Sequence, residues 1–181
     1  MRSSRKSGNS LNAHGDSIDT LLDTLATRLL AQNRTMATAE SCTGGLVASW
    51  ITARPGSSHW FECGFVTYSN ASKQQLLKVR PQTLADYGAV SEQTVREMAE
   101  GALQQSAAVA SLAISGIAGP GGGTADKPVG TVCFGWALCV PGEPAESRIE
   151  TWSETRHFSG DRQAVRQQAA RRALAQLAEI V

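Results

Sequence analysis

The chain has 181 residues, of which 41% are hydrophobic and 18% are charged, and its formal net charge at pH 7 is +1. This balance excludes an intrinsically disordered chain, a collagen-like repeat and a protein that binds nucleic acid through a strongly basic surface. We expect one globular domain, because a chain of this length buries roughly 70% of its unfolded surface when it folds.

The cysteines and the first residues of the chain bear on where the protein works. Its four cysteines, Cys42, Cys63, Cys133 and Cys139, form no C-x-x-C pair, which predicts free thiols and a cytoplasmic protein. Residues 1–16 are predicted to be a disordered tail rather than a secretory signal, because no apolar segment follows their positive charges. No stretch approaches the ~20 continuous apolar residues of a membrane span, so we expect no membrane association.

The hydrophobic pattern from residue 17 to the end predicts a mixture of helices and strands. The predicted helices are 17–32, 46–51 and three more that begin at Asn70, at Ser91 and near Ser159; the predicted strands are 35–39, 62–69, 109–115, 129–140 and 148–158. The last two strands flank a turn at 141–144 and are expected to form an antiparallel hairpin. This order of elements predicts a single three-layer α/β/α domain with a mixed β-sheet.

The segment Glu40-Ser-Cys-Thr-Gly-Gly45 lies between a predicted strand and a predicted helix. Gly44 and Gly45 permit tight backbone geometry, and the amides from Thr43 to Gly45, at the start of the helix, can hold an oxyanion or a phosphate. Ser41 is therefore a candidate nucleophile. The alternative is that Ser41 or Thr43 is an ordinary helix cap.

The histidines do not supply a base for this serine. His14 lies in the predicted tail, and His59 and His157 have neither the spacing of a zinc site nor an evident place in a catalytic triad. We therefore expect surface histidines and no metal.

Lys73 is the better candidate for the base. If Asn70 caps the helix, Lys73 lies in its first turn, where the helix dipole and partial burial would both lower the pKa of the amine. A neutral Lys73 can take the proton of Ser41, with Tyr68 as a proton relay or orienting group. The alternative is a solvated lysine on the helix surface.

A glycine-rich segment and a group of arginines complete the candidates. Residues 116–123 contain five glycines but match neither the P-loop nor the dinucleotide-binding fingerprint, so a phosphate-binding nest and a flexible connection both remain open. Arg162, near the start of the last helix, can bind a phosphate in a bidentate manner. Arg166, Arg171 and Arg172 are predicted to form a solvated face, and they are too few for a nucleic-acid surface.

Several segments, in this order along the chain, resemble the motifs of the CinA C-terminal-domain family. They are Thr38-Ala-Glu-Ser-Cys-Thr-Gly-Gly-Leu46, Gly64-Phe-Val-Thr-Tyr-Ser-Asn70 with Lys73, Gly88-Ala-Val-Ser91, Ile114-Ser-Gly-Ile-Ala-Gly-Pro-Gly-Gly-Gly-Thr124, Lys127-Pro-Val-Gly-Thr131 and Phe158-Ser-Gly-Asp-Arg162. The resemblance extends from about Ser17 to the end of the chain. It implies a three-layer α/β fold and a homodimer that uses neither a metal nor a cofactor.

The resemblance also implies an activity and a set of site residues. The activity is that of a nicotinamide-nucleotide amidase, which hydrolyses the carboxamide of nicotinamide mononucleotide to nicotinate mononucleotide and ammonia in pyridine-nucleotide recycling. By position, the family's nucleophilic serine falls on Ser41 and its lysine partner on Lys73, with Tyr68 beside them. The candidate substrate-binding residues are Thr43, Gly44, Gly45, Asn70, Gly116, Gly119, Gly121 and Arg162.

Two other functions remain open at this point. A nucleotide-binding regulatory module would use the same glycine-rich segment without any chemistry. A serine hydrolase for another amide or ester would keep Ser41 and Lys73 but act on a different substrate. Some members of the family carry an additional N-terminal pyrophosphatase domain, and we expect only the amidase function here.

Overall fold

The computed structural model describes residues 17–140 and 148–181. The elements are α1 (Ile18–Ala31), β1 (Met36–Glu40), α2 (Leu46–Thr52), a 3-10 turn (Ser57–His59), β2 (Phe61–Val66), α3 (Asn70–Leu77), α4 (Pro81–Tyr87), α5 (Glu92–Gln104), β3 (Ala110–Gly116), β4 (Thr131–Val140), β5 (Arg148–His157) and α6 (Arg162–Ile180). All the predicted elements are present, and the structure adds α4 and the 3-10 turn. The predicted tail at 1–16 and the predicted turn at 141–144 lie outside the described residues.

The strands form one mixed sheet in the order β2-β1-β3-β4-β5. Strand β1 runs parallel to both of its neighbours, β2 and β3, whereas β4 runs antiparallel to both of its neighbours, β3 and β5. The predicted mixed sheet and the β4–β5 hairpin are therefore confirmed. Because β1, β2 and β3 are parallel, the segments that leave their carboxyl ends meet at one edge of the sheet, where α/β proteins bind their ligands.

Two hydrophobic cores cover the two faces of the sheet. Helices α1, α2 and α6 pack on one face, against side chains such as Met36, Leu112 and Phe134. Helices α3, α4 and α5 pack on the other face, against small side chains such as Ala37, Ala39 and Ala113. This arrangement confirms the predicted three-layer α/β/α architecture.

Helix α5 packs so closely against its surroundings that some positions have no room for a side chain. A Cβ atom at Gly101 would lie 2.0 Å from the carbonyl oxygen of Leu77. We expect Gly101→Ala to lower the free energy of unfolding by about 2 kcal/mol, because the backbone must shift by more than the better helix propensity of alanine can offset.

Urea denaturation of the two proteins measures this difference. The matched control is Gly121→Ala, since a Cβ atom at Gly121 would meet nothing within 4 Å, and its free energy of unfolding should stay within about 0.5 kcal/mol of the wild type. Equal stability of the Gly101→Ala protein and this control would contradict the close packing of α5 on Leu77.

Candidate active site

Ser41 lies at the carboxyl end of β1, on the central parallel strand of the sheet. Its amide donates a hydrogen bond of 2.9 Å to the carbonyl oxygen of Ile114 on β3, and its own carbonyl oxygen accepts one of 3.0 Å from the amide of Gly44. The residue is buried, with 8% of its surface exposed. The backbone of Ser41 is therefore fixed from the neighbouring strand and from the turn that follows.

The side chain of Lys73 meets the side chain of Ser41 inside the protein. The Nζ atom of Lys73 donates hydrogen bonds to Ser41 Oγ at 3.0 Å and to the carbonyl oxygen of Thr67 at 2.7 Å. Only 1% of the surface of Lys73 is exposed. This geometry rules out the solvated helix lysine and places an amine in position to exchange a proton with the Ser41 hydroxyl.

Burial sets the charge preference of this amine. Removing the Lys73 ammonium from water disfavours the charged form, and this lowers the pKa of Lys73 from its usual value of 10.5, while a negative charge on the neighbouring Cys42 would act in the opposite direction. Burial raises the pKa of the Cys42 thiol to about 12. At neutral pH, Cys42 is therefore a protonated thiol and does not compete with Ser41 as a nucleophile.

The capping of α3 brings Lys73 to this position. Ser69 is the cap, since its Oγ accepts a hydrogen bond of 3.0 Å from the amide of Ser72, whose own Oγ accepts one of 3.1 Å from the amide of Ser69. The prediction that Asn70 is the cap is wrong by one residue, and Asn70 is the exposed first residue of the helix. Lys73 still lies at the start of α3, as expected.

The carboxylate of Glu40 occupies the amino-terminal end of α2. Its Oε2 atom accepts hydrogen bonds from the amides of Gly45 at 3.0 Å and Val47 at 3.2 Å, and its Oε1 atom accepts one from the amide of Ala48 at 2.9 Å. Glu40 is completely buried. The negative charge at this helix end is thus supplied by the protein itself.

This arrangement corrects two expectations about the turn after Ser41. The N-cap of α2 is Gly45, with φ = 90° and no side-chain cap, so neither Ser41 nor Thr43 caps the helix. The amides of Gly44 and Gly45 already donate to Ser41 and Glu40, so the prediction that they hold an oxyanion is wrong. Within residues 17–140 and 148–181, the amides of Cys42 and Thr43 donate to no backbone or side-chain atom of another residue, and the Cys42 amide contacts its own thiol sulfur.

Two of the arginines that were expected to form a solvated face have specific partners. Arg166 on α6 donates a hydrogen bond of 2.7 Å to the carbonyl oxygen of Thr43, inside the turn that follows Ser41. Arg172 forms an ion pair of 2.5 Å with Glu154, and Arg171 is half-buried. The solvated-face prediction is wrong for Arg166 and Arg172, and Arg166 becomes part of the candidate site.

Arg162 connects the glycine-rich segment to the segment that contains Tyr68. One terminal nitrogen donates to the carbonyl oxygen of Gly119 at 2.7 Å and the other donates to the Tyr68 hydroxyl at 3.0 Å. Tyr68 is 64% exposed. The structure thus joins the Tyr68 hydroxyl to Arg162 rather than to Ser41 or Lys73, which argues against Tyr68 as a proton relay.

The candidate glycines occupy different surroundings. A Cβ atom at Gly116 would lie 2.8 Å from a Val132 methyl group, so packing in the sheet accounts for this glycine. Gly119 has φ = 84° and binds Arg162 through its carbonyl oxygen, whereas Gly121 is exposed and faces open space. Gly119 is buried, so Gly121 is the candidate glycine in this segment that is open to a ligand.

Comparison with known proteins places this fold and this site in a family. The family model for the CinA C-terminal domain matches residues 18–181. The chain belongs to the CinA C-terminal domain family.

This CinA domain has relatives over most of its length. It is 56% identical over 146 residues to the nicotinamide-nucleotide amidohydrolase PncC of Shigella flexneri, and the match covers 81% of this chain and 84% of that protein. It is 52% identical over 164 residues to a longer protein of Symbiobacterium thermophilum, of which it spans 38%. The crystal structure of the competence damage-inducible protein A of Klebsiella pneumoniae superimposes with a TM-score of 0.83 at 38% identity, and covers 91% of this chain and 96% of its own.

The described part of the CinA domain shows neither a metal-binding cluster nor a membrane-spanning helix. Within residues 17–140 and 148–181, no group of three or more His, Cys, Asp or Glu side chains is placed to hold a metal ion. None of the helices in the same ranges has the length and apolar character to cross a membrane.

Proposed function

We propose that this CinA domain hydrolyses the carboxamide of nicotinamide mononucleotide to nicotinate mononucleotide and ammonia, as a step of pyridine-nucleotide recycling. The observation that carries the proposal is the buried hydrogen bond of 3.0 Å between Lys73 and Ser41, which is the geometry of an activated serine. The Shigella relative that is named for this activity supports the choice of substrate.

The proposed reaction is acyl transfer through Ser41. Neutral Lys73 takes the proton of the Ser41 hydroxyl while Oγ attacks the carboxamide carbon, and the protonated lysine then gives this proton to the departing ammonia. A water molecule, deprotonated by the same amine, hydrolyses the ester and restores Ser41. The carbonyl oxygen of Thr67, at 2.7 Å, stabilises the lysine whenever it is charged.

The oxyanion of the tetrahedral intermediate requires donors at the turn after Ser41. We assign this role to the backbone amides of Cys42 and Thr43, because the amides of Gly44 and Gly45 are already bonded within the protein. In other serine hydrolases with a strand-turn-helix nucleophile, the amide of the residue after the serine has this role.

The nucleotide part of the substrate is proposed to bind near Arg162, Gly119 and Gly121, with Tyr68 and Asn70 at the rim. The guanidinium of Arg162 carries a charge suited to a phosphate, and the exposed Gly121 lets the ligand approach the backbone. Packing explains Gly116, so we give it no direct contact with the substrate.

Arg162→Met should raise the KM for nicotinamide mononucleotide about 30-fold and change kcat little, because a charged hydrogen bond to the phosphate contributes about 2 kcal/mol to binding. The KM for nicotinamide riboside, which lacks the phosphate, should be much less affected. Steady-state kinetics on both substrates measure the difference, with the exposed Arg148→Met as the matched control. An equal effect on nucleotide and riboside would remove Arg162 from phosphate binding.

The activity itself is tested by ammonia release from nicotinamide mononucleotide by the purified full chain in the presence of EDTA. Release with formation of nicotinate mononucleotide supports the proposal. Binding without release would favour a nucleotide-binding regulatory module, and release only from another amide or ester would favour a hydrolase of different specificity. Release that EDTA abolishes would show that a metal takes part.

We also propose that the protein acts as a homodimer in the cytoplasm. The family resemblance supports the dimer, and so do the partly exposed apolar side chains of Val66 and Leu76, which lie on β2 and α3 near the candidate site. The free thiols of the four cysteines are in keeping with a reducing compartment.

A further inference from the structure

Glu40 is a buried acidic residue that the proposed reaction does not use. It directly precedes the candidate nucleophile Ser41, it has no exposed surface, and its carboxylate accepts hydrogen bonds from three backbone amides at the start of α2. A buried carboxylate is stable only when its oxygen atoms accept hydrogen bonds, and here the amides at the start of α2 donate them.

The helix and the carboxylate depend on each other. Helix α2 begins after Gly45, which has no side chain to bond the first amides, so the three amides that donate to Glu40 would lose this partner without it. The four residues between Glu40 and Gly45 must therefore follow a path that keeps the Glu40 carboxylate within hydrogen-bonding distance of these amides. The bond from the Gly44 amide to the Ser41 carbonyl oxygen lies inside this closed loop.

The backbone of Glu40 connects the same loop to the lysine. Its carbonyl oxygen accepts a hydrogen bond of 2.8 Å from the amide of Thr67, and the carbonyl oxygen of Thr67 accepts the bond of 2.7 Å from Lys73. Within the sheet, Glu40 is paired with Val66 on β2 and with Ile114 on β3. Glu40 thus lies on the strand that leads to Ser41. It bonds to the segment that holds Lys73 and to the start of α2.

We propose that Glu40 is a positioning residue for Ser41. By holding the amino-terminal end of α2, its carboxylate fixes the turn from Ser41 to Gly45, and thereby the distance from Ser41 Oγ to Lys73 Nζ and the placement of the Cys42 and Thr43 amides. The inference rests on the proposed function for the identity of the reaction. Because the negative charge of Glu40 already occupies this helix end, the phosphate of the substrate binds elsewhere.

The test compares Glu40→Gln and Glu40→Asp in the full chain. Gln keeps the size of the side chain but presents an NH2 group to amides that need an acceptor, whereas Asp keeps the carboxylate on a side chain one methylene shorter. We expect kcat per folded molecule to fall about 100-fold for Glu40→Gln, the effect of displacing a reacting group by about 1 Å, with KM changed less than threefold. The kcat of Glu40→Asp should lie between those of the wild type and Glu40→Gln, because the aspartate retains a carboxylate.

Two measurements separate positioning from a purely structural role. The folded fraction of each variant at the assay temperature is determined by circular dichroism and urea denaturation, and every rate is divided by it. The exposed Glu62→Gln on β2 makes the same chemical change away from the site and should retain wild-type kinetics. If both Glu40 variants have wild-type kcat per folded molecule, the positioning role is wrong; if Glu40→Gln fails to fold, Glu40→Asp alone decides.

A second reagent makes the result independent of the substrate. A serine-directed sulfonyl fluoride should modify Ser41 more slowly in Glu40→Gln than in the wild type, as followed by intact mass. If the wild type releases no ammonia from nicotinamide mononucleotide, the proposed function is wrong, and a slower modification of Ser41 in the variant would still support positioning. Equal modification rates in the wild type and in Glu40→Gln would overturn it.

Discussion

The Ser41→Ala protein is expected to release ammonia from nicotinamide mononucleotide about 10⁵-fold more slowly than the wild type, because no acyl-enzyme can form. The fold should persist, since the substitution removes one oxygen atom and leaves the backbone bonds of Ser41 to Ile114 and Gly44 in place. Steady-state formation of nicotinate mononucleotide measures the rate, and thermal unfolding measures the stability. Substrate affinity, determined by calorimetry, should remain close to that of the wild type.

Ser49→Ala is the matched control for this substitution. Ser49 lies on α2, eight residues after the nucleophile, and its side chain is exposed, so its replacement should leave the rate unchanged. A Ser41→Ala protein with near-wild-type turnover would end the proposal of a serine nucleophile. A wild-type protein that binds the nucleotide and releases no ammonia would instead identify a regulatory module, and Ser41→Ala would then have no rate to change.

The layers of the fold could be predicted because hydrophobic periodicity reports burial directly. In α5, for example, Val95, Met98, Ala99 and Ala102 recur at helical spacing in the sequence, and these are the side chains that pack in the core. Two adjacent residues before α3 are both able to cap it, and the structure uses Ser69 rather than Asn70 as the cap. Helix α4 is only seven residues long, too short for a periodic pattern to develop.

The site could be predicted only in part from residue patterns. The pattern leaves a solvated Lys73 open, and only the fold shows that its amine is buried against Ser41 and the carbonyl oxygen of Thr67. The position of Arg166 depends on where α6 passes the turn at Thr43, which no local pattern encodes. Glu40 did leave a signal, since a charged residue directly after four buried strand residues requires a partner, but the partner amides lie five to eight residues further along.

Replacing Lys73 with methionine should lower kcat about 10⁴-fold, the upper range for the loss of a general base. Methionine fills much of the same space without a proton acceptor, so the fold should be retained. Lys73→Arg should be no better, because a guanidinium stays charged at any pH that proteins tolerate. Lys78→Arg makes that change at the exposed residue that follows the same helix and should leave kcat unchanged.

The pH dependence of the wild type tests independently whether Lys73 is the base. The active form is the neutral amine, so kcat/KM should be lost as pH falls through the pKa of Lys73 and regained above it. Because burial lowers this pKa, the rise should occur below the usual value of 10.5. The folded state binds this proton less readily than the unfolded state does. Wild-type stability relative to Lys73→Met should therefore increase as pH rises from the folded-state pKa towards 10.5. An activity profile and a stability difference that both stay flat over this interval would show that Lys73 does not titrate there, and so is not the base.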